Sequence, residues 1–142
     1  MPRVVLDTNV LVSATIRPAG PAGRVVAALA MGAFENVLSP QILEEMRETL
    51  FSDELRPYQR LSPPEIEELL EILERVSLLA QGTALVAACR DPDDDKFFAA
   101  GVEGAAEYIV SGDADVRAVG KYRGITVLSP REFLRVLNLD VP

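Results

Sequence analysis

The sequence predicts an α/β protein built on a parallel sheet with helices on both faces. Three observations carry that reading. Short apolar runs alternate with helical stretches along the chain, in the order strand, helix, strand, helices, strand, helix, strand, helix, strand, helix. The first run, Arg3-Val4-Val5-Leu6, is short, hydrophobic and ends in a carboxylate, Asp7, as a buried parallel strand does when its carboxyl end opens into a site. Helix starts are marked by Ser-Pro pairs at Ser39-Pro40, Ser62-Pro63 and Ser129-Pro130, with serine as N-cap and proline at the first helical position.

The elements follow in order. The first strand covers residues 3 to 6. Residues 12 to 21 form a loop with Pro18, Gly20 and Pro21. Gly23 to Met31 is apolar nearly all round, which predicts a buried helix, and Gly32 ends it. Phe34 to Leu38 is the second strand. The helix opened by Ser39-Pro40 has Ile42, Met46 and Leu50 at i, i+4 and i+8. On it Glu45 projects at the edge of the buried face, while Glu44 points to the opposite side. Residues 52 to 61 are an irregular or short helical connection. Ser62-Pro63-Pro64-Glu65 is a capping box. The helix behind it places Ile66, Leu69, Leu70, Leu73 and Val76 on one stripe and Glu67, Glu68, Glu71 and Glu74 toward solvent. A third strand falls in Val76 to Ala80 or in Thr83 to Val86. Asp91-Pro92-Asp93-Asp94-Asp95 is a turn into a helix from about Lys96 to Val102, closed by Gly104. In that turn Asp91 favours the cap, and Asp93 and Asp95 are solvated. Glu107 to Val110 is the fourth strand and runs into Ser111-Gly112-Asp113. A short helix near Ala114 to Val119, a fifth strand at Ile125 to Leu128 and a second capping box at Ser129 to Glu132 complete the chain. No linker, repeat or low-complexity tract divides it, so residues 1–142 read as a single domain.

Composition limits the chemistry. With 49% hydrophobic residues the chain can bury a sizeable core. It carries 14 Lys and Arg against 22 Asp and Glu, a formal net charge of -8. That balance disfavours a general nucleic-acid coat and favours a partner with basic character, although acids that hold divalent cations invert the local charge. Histidine is absent, which excludes histidine triads and histidine-ligated zinc. Cys89 is the single cysteine, so there is no internal disulfide, and it reads as a small buried residue. The N-terminus lacks a basic region followed by an apolar one, and no stretch is long enough to span a bilayer. A soluble, cytoplasmic protein away from membranes is expected.

In parallel α/β folds ligands sit at the carboxyl ends of strands, where strand order reverses. Asp7 and Asp113 each follow a strand, and they meet if the first and fourth strands are neighbours. Glu45, by its helical phase, and Asp94, in the acidic turn, complete a set of four carboxylates. Taken singly, each is equally well explained as a cap or a solvated acid; four at strand and helix ends of one fold are not. Oxygen-only donors suit Mg²⁺, and such a cluster activates a water against a phosphodiester. Asn9 and Ser111 are placed to bond the acids or a phosphate, and Asp115 to act as a further ligand. Arg17, Arg24, Arg117 and Lys121, with Arg123, are candidates for holding substrate phosphates, each weighed against ordinary surface charge.

These residues together resemble the PIN-domain family, and in particular the PIN-family (VapC-like) toxin components of type II toxin–antitoxin systems. The motifs are Val-Val-Leu-Asp-Thr-Asn-Val-Leu-Val-Ser at 4 to 13, Leu-Ser-Pro-Gln-Ile-Leu-Glu-Glu at 38 to 45, Asp-Pro-Asp-Asp-Asp-Lys-Phe-Phe at 91 to 98, and Tyr-Ile-Val-Ser-Gly-Asp-Ala-Asp-Val at 108 to 116. The resemblance implies a three-layer α/β/α sandwich around a mostly parallel five-stranded sheet in the order 3-2-1-4-5. It implies a Mg²⁺- or Mn²⁺-dependent endoribonuclease, the toxin of a toxin–antitoxin pair, acting on RNA. It further implies frequent homodimerisation and neutralisation by a small antitoxin protein. The family's acidic quartet falls on Asp7, Glu45, Asp94 and Asp113, selecting Asp94 from its neighbours, with Asn9, Ser111 and Asp115 in supporting positions. The family more often has threonine where this chain has Ser111.

Two rival classes differ in what they require. A phosphatase of the haloacid dehalogenase type needs an aspartate two residues after the first, where this chain has Asn9. A receiver domain needs a paired acid near the first strand and a lysine ending the last, and neither is present. A non-catalytic PIN-like interaction module would not need all four acids, so Asp94→Asn leaving function intact would favour it.

Overall fold

The computed structural model describes residues 1–139; the end of the expected 1–142 domain lies outside them. The chain forms β1 (Arg3–Leu6), α1 (Thr8–Ile16), α2 (Pro21–Ala30), β2 (Glu35–Leu38), α3 (Pro40–Leu50), α4 (Pro63–Val76), β3 (Leu78–Leu79), α5 (Asp95–Glu103), β4 (Tyr108–Val110), α6 (Ala114–Arg117), β5 (Lys121–Tyr122), β6 (Ile125–Leu128) and α7 (Pro130–Val136). Short 3₁₀ turns cover Arg56–Tyr58 and Pro92–Asp94. Among the described residues, no helix is long and apolar enough to cross a membrane.

The sheet has six strands in the order β3-β2-β1-β4-β6-β5. Every pairing is parallel except β5 with β6. The expected five-stranded order is therefore corrected: an antiparallel edge strand is added beyond the last parallel one. Its source is the turn Arg123-Gly124, where φ is 48° and 81°. Two consecutive left-handed residues make the tight hairpin turn that folds Lys121 and Tyr122 back along β6. Arginine is an unusual residue for such a turn, so the sequence conceals it.

Side-chain alternation sorts the helices onto two faces. Val5 and Ile125 face α5, which lies so close that a Cβ at Gly101 would stand 2.9 Å from Ile125 Cδ1. A Cβ at Gly104 would come within 2.7 Å of Val37 Cγ1, so glycine is what lets this helix settle on the sheet. On the opposite face Leu6 packs among Leu11, Val26, Leu29, Leu69 and Leu73, from α1, α2 and α4. Phe133 of α7 meets the Phe34 ring edge-on at 4.9 Å and lies 6.0 Å from the Tyr108 ring, also on that face. Tyr122 on the edge strand covers Phe98 of α5, with ring centroids 5.7 Å apart.

One further expectation is revised and one open alternative is resolved. Residues 12 to 16, read as the start of a loop, belong to α1. Thr8, Val10, Val12, Thr15 and Ile16 are β-branched and hide a helical tendency. The buried face, Thr8, Val10, Leu11, Ala14 and Thr15, includes two threonines, while Val12 and Ile16 fall on the less buried side, so no clean amphipathic stripe shows. The third strand is the earlier of the two alternatives, Leu78–Leu79, joined to β2.

Phe133 lies on the last helix and is fully buried. Phe133→Ala is expected to cost about 3–5 kcal/mol of unfolding free energy. Urea denaturation followed by far- and near-ultraviolet circular dichroism checks it: coincident transitions, shifted together, are expected if α7 unfolds with the rest of the chain.

Candidate active site

Asp7 stands at the carboxyl end of β1, where its backbone amide donates to the Val110 carbonyl of β4 at 2.9 Å. This pairing makes β1 and β4 neighbours, as the sequence argument requires. The Asp7 side chain is 3% exposed. Its Oδ2 accepts the Ser111 hydroxyl at 2.5 Å, and its Oδ1 accepts the Asn9 amide at 3.3 Å, so it also caps α1. Ser111 Oγ in turn accepts the Asp113 amide at 3.0 Å. One hydroxyl thus ties the turn that carries Asp113 to the carboxylate of Asp7. Asp113 Oδ1 accepts the Asp115 and Val116 amides at 2.7 and 3.3 Å, capping α6. The Asn9 and Asp115 side chains are exposed, and both residues contribute to these bonds through their backbones.

Glu45 is half-buried on α3 and Glu44 is exposed, in agreement with the helical phase. Both Glu45 oxygens are engaged. Oε2 accepts the Thr8 hydroxyl, and Oε1 accepts the Lys96 ammonium at 2.6 Å. Thr8 and Lys96 were not singled out from the sequence. Thr8 lies inside the Asp-Thr-Asn motif and Lys96 directly follows the aspartate run, so adjacency was the available signal; the pairing with Glu45 spans 37 and 51 residues. Lys96 also reaches Asp93 Oδ2 at 3.3 Å. Asp94 is the residue before α5, and its carboxylate makes no capping bond. Asp91 Oδ1 accepts the Asp93 amide, the capping role expected of it. Asp95 is not simply solvated: its Oδ1 takes the Ala88 and Cys89 amides and anchors the incoming segment.

The charges oppose one another. Burial pushes the Asp7 carboxyl above its ordinary value; the Ser111 and Asn9 bonds pull it partly back, and the charges of Glu45 and Asp113 add to the rise. Asp94 is pushed up to about 6, by partial burial first and then by Asp91, Asp113, Asp7 and Glu45. Burial lowers the Lys96 pKa, but its bond to the Glu45 carboxylate and that charge, together with Asp93, outweigh it and the net direction is upward. Burial, followed by the Asp95 charge, pushes the Cys89 thiol to about 12, which leaves it unreactive.

The four acids therefore sense one another electrostatically. Among the described residues, however, no three Asp, Glu or Cys side chains are drawn together tightly enough to hold an ion. The arrangement is pairwise: Asp7 and Asp113 through Ser111, Glu45 through Thr8 and Lys96. In kind the donors fit a divalent cation, because all are oxygen, they carry unneutralised negative charge, and one already binds an ammonium.

The basic candidates are scattered. Arg17 is exposed at the far end of α1, about 15 Å along the helix from Asp7. It lines a hollow with Ser13, Gly20, Ser129 and Arg131. Arg24 donates to the Leu139 carbonyl. Arg117 is exposed on α6 and Lys121 on the edge strand. Arg123 lies in the hairpin turn at the amino end of β6, the opposite end of the sheet from Asp7, with its guanidinium 5.1 Å from the Tyr122 ring.

Comparison with known proteins adds three findings. Residues 3–115 match the family model described as PIN domain. The chain is 34% identical over 140 residues to the uncharacterized protein MJ1680 of Methanocaldococcus jannaschii, covering 93% of this chain and 89% of that one. It shares its fold with a chain of VapBC2 from Rickettsia felis, solved bound to a DNA fragment from their promoter. That match has a TM-score of 0.56 at 12% identity and covers 89% of this chain and 98% of the other.

Asp94 binds its proton more tightly folded than unfolded, so its ionisation costs stability. The cost is absent below the unfolded value near 4 and grows as pH rises through about 6. Asp94→Asn is therefore expected to raise the melting temperature in EDTA at about pH 7.5, and the gain is expected to vanish by about pH 4. Differential scanning calorimetry across that range checks the sign.

Proposed function

The chain belongs to the PIN-domain family, and on that premise we propose that it is a metal-dependent endoribonuclease acting through Asp7, Glu45, Asp94 and Asp113. The observation that carries the reading is the coupling of Asp7 to Asp113 through Ser111 at the carboxyl ends of adjacent strands. A Mg²⁺ or Mn²⁺ ion bound there supplies positive charge that polarises phosphoryl oxygens and acidifies water.

The protein's own part is to hold the acids in place. Ser111 and the Asn9 amide fix the Asp7 carboxylate in a buried position, so little side-chain freedom remains to be lost on ligation. The amides of α6 orient Asp113. Thr8 and Lys96 orient Glu45 from two sides. Asp94, raised by partial burial and then by the neighbouring acids, would ionise more readily with positive charge in the site, and that gain favours cation uptake. Arg17, Arg117 and Lys121, exposed though scattered, are the candidates for phosphate contacts, and Arg24 becomes one only on release from Leu139.

The partners follow the same reading. The substrate is RNA, attacked by water at a phosphodiester. The resemblance of its motifs to PIN-family toxins is what supports a cytoplasmic toxin paired with a small antitoxin and working as a homodimer; the likeness to a VapBC2 chain supports the fold. The net charge of -8 suits a partner whose contacting segment is basic.

Cleavage of RNA by the wild type with Mn²⁺, set against Asp7→Asn and against EDTA, tests this. Loss of at least about 10²-fold in rate is expected from either change, the size of effect that removing metal-ion charge stabilisation has. Equal cleavage by wild type and Asp7→Asn would contradict the site.

A further inference from the structure

Lys96 is the second residue of α5, yet its ammonium does not turn to solvent. It crosses to α3 and rests on Glu45 Oε1 at 2.6 Å, with the two side chains only 16% and 26% exposed. The other Glu45 oxygen is taken by the Thr8 hydroxyl. Each oxygen of this carboxylate thus already has a donor on it. The two partners differ in how they would respond to an arriving cation. Threonine is neutral and can keep its bond while the oxygen ligates through another lone pair. An ammonium cannot share that space with a divalent ion, because like charges at contact distance repel strongly where solvent is partly excluded. Lys96 has somewhere to go: Asp93 Oδ2 is 3.3 Å away and its side chain is 72% exposed, toward solvent. The Phe97 ring, with its centroid 5.8 Å from Nζ, flanks the ammonium.

We infer that Lys96 is a tethered cation that competes with the divalent metal for Glu45, so that metal entry requires the ammonium to leave Glu45 for Asp93. This rests on the four-carboxylate reading and assigns Lys96 as a positioning residue. It keeps Glu45 ordered and neutralised while no metal is bound, and it weakens metal affinity by the work of displacing it. An ordinary bracing ion pair between α3 and α5 would affect stability alone.

Calorimetric titration with Mn²⁺ separates these. Lys96→Met is expected to bind Mn²⁺ about tenfold more tightly than the wild type, because a repelling charge and a competing partner are both removed. Lys96→Gln keeps a donor toward Glu45 without the charge and is expected to tighten binding in the same direction. Lys96→Arg retains the charge and is expected to stay within about twofold of the wild type. Circular dichroism establishes that each variant is folded under the titration conditions. Lower melting temperature with unchanged or weaker Mn²⁺ affinity in Lys96→Met and Lys96→Gln would overturn the inference and leave the metal site standing. Wild-type protein that takes up no Mn²⁺, or that binds it no better than Asp7→Asn, would overturn the metal site and the inference together.

Discussion

A buried carboxylate held by a hydroxyl from the neighbouring strand is the interaction on which the candidate site depends. Asp7 is 3% exposed, and an ionised acid at that depth is costly unless it is hydrogen-bonded. Ser111 supplies the bond only because β1 and β4 pair in the register Leu6 with Val110, which sets the next residue of each strand side by side. The same hydroxyl accepts the Asp113 amide, so the local turn that places the second acid is tied to Asp7 through this register. A slip of one residue would turn Asp7 and Ser111 to opposite faces and break that tie, leaving the Ser111–Asp113 turn intact.

The rest of the site is arranged against charge repulsion. Asp94 is pushed up to about 6, with partial burial the largest cause and the neighbouring acids next, and Asp7 is raised in spite of its hydrogen bonds. Lys96 offsets part of this by pairing with Glu45. The acidity of the whole chain is therefore not spread evenly in its meaning. Glu67, on α4, is paired with Arg47 of α3, whereas Asp7, Asp94 and Asp113 face one another with little compensation. A fold can tolerate such a cluster where a cation is to be received, and strain of this kind at strand ends is a functional signature.

Much of this was legible in the sequence, for physical reasons. The parallel strands announce themselves as short apolar runs, and the Ser-Pro caps fix the starts of α3, α4 and α7, two of them with complete capping boxes. Helical phase separated Glu45 from Glu44 because α3 is cleanly amphipathic. Legibility failed where hydrophobicity does not follow burial or where a turn breaks its usual chemistry. Helix α1 is β-branched, with threonines on its buried face and Val12 and Ile16 off it, and the β5 hairpin turns on Arg123 in a left-handed conformation. The bonds of Glu45 to Thr8 and Lys96 are long-range side-chain pairings, which no local pattern encodes. Asp95 looked like one more solvated acid, but it is spent on holding the Ala88 and Cys89 amides. Arg117, Lys121 and Arg123 are close in sequence, but the hairpin carries Arg123 to the other end of the sheet from Asp7.

In the proposed site Asp7 and Asp113 serve one metal. A crystal structure of the protein grown with Mn²⁺, with data collected for anomalous scattering from manganese, tests it most directly. An anomalous peak ligated by oxygens of Asp7 and Asp113, with Glu45 or Asp94 in its coordination sphere, is expected. A peak held instead by outlying acids such as Asp91 and Asp93, or no peak at saturating Mn²⁺, would contradict it.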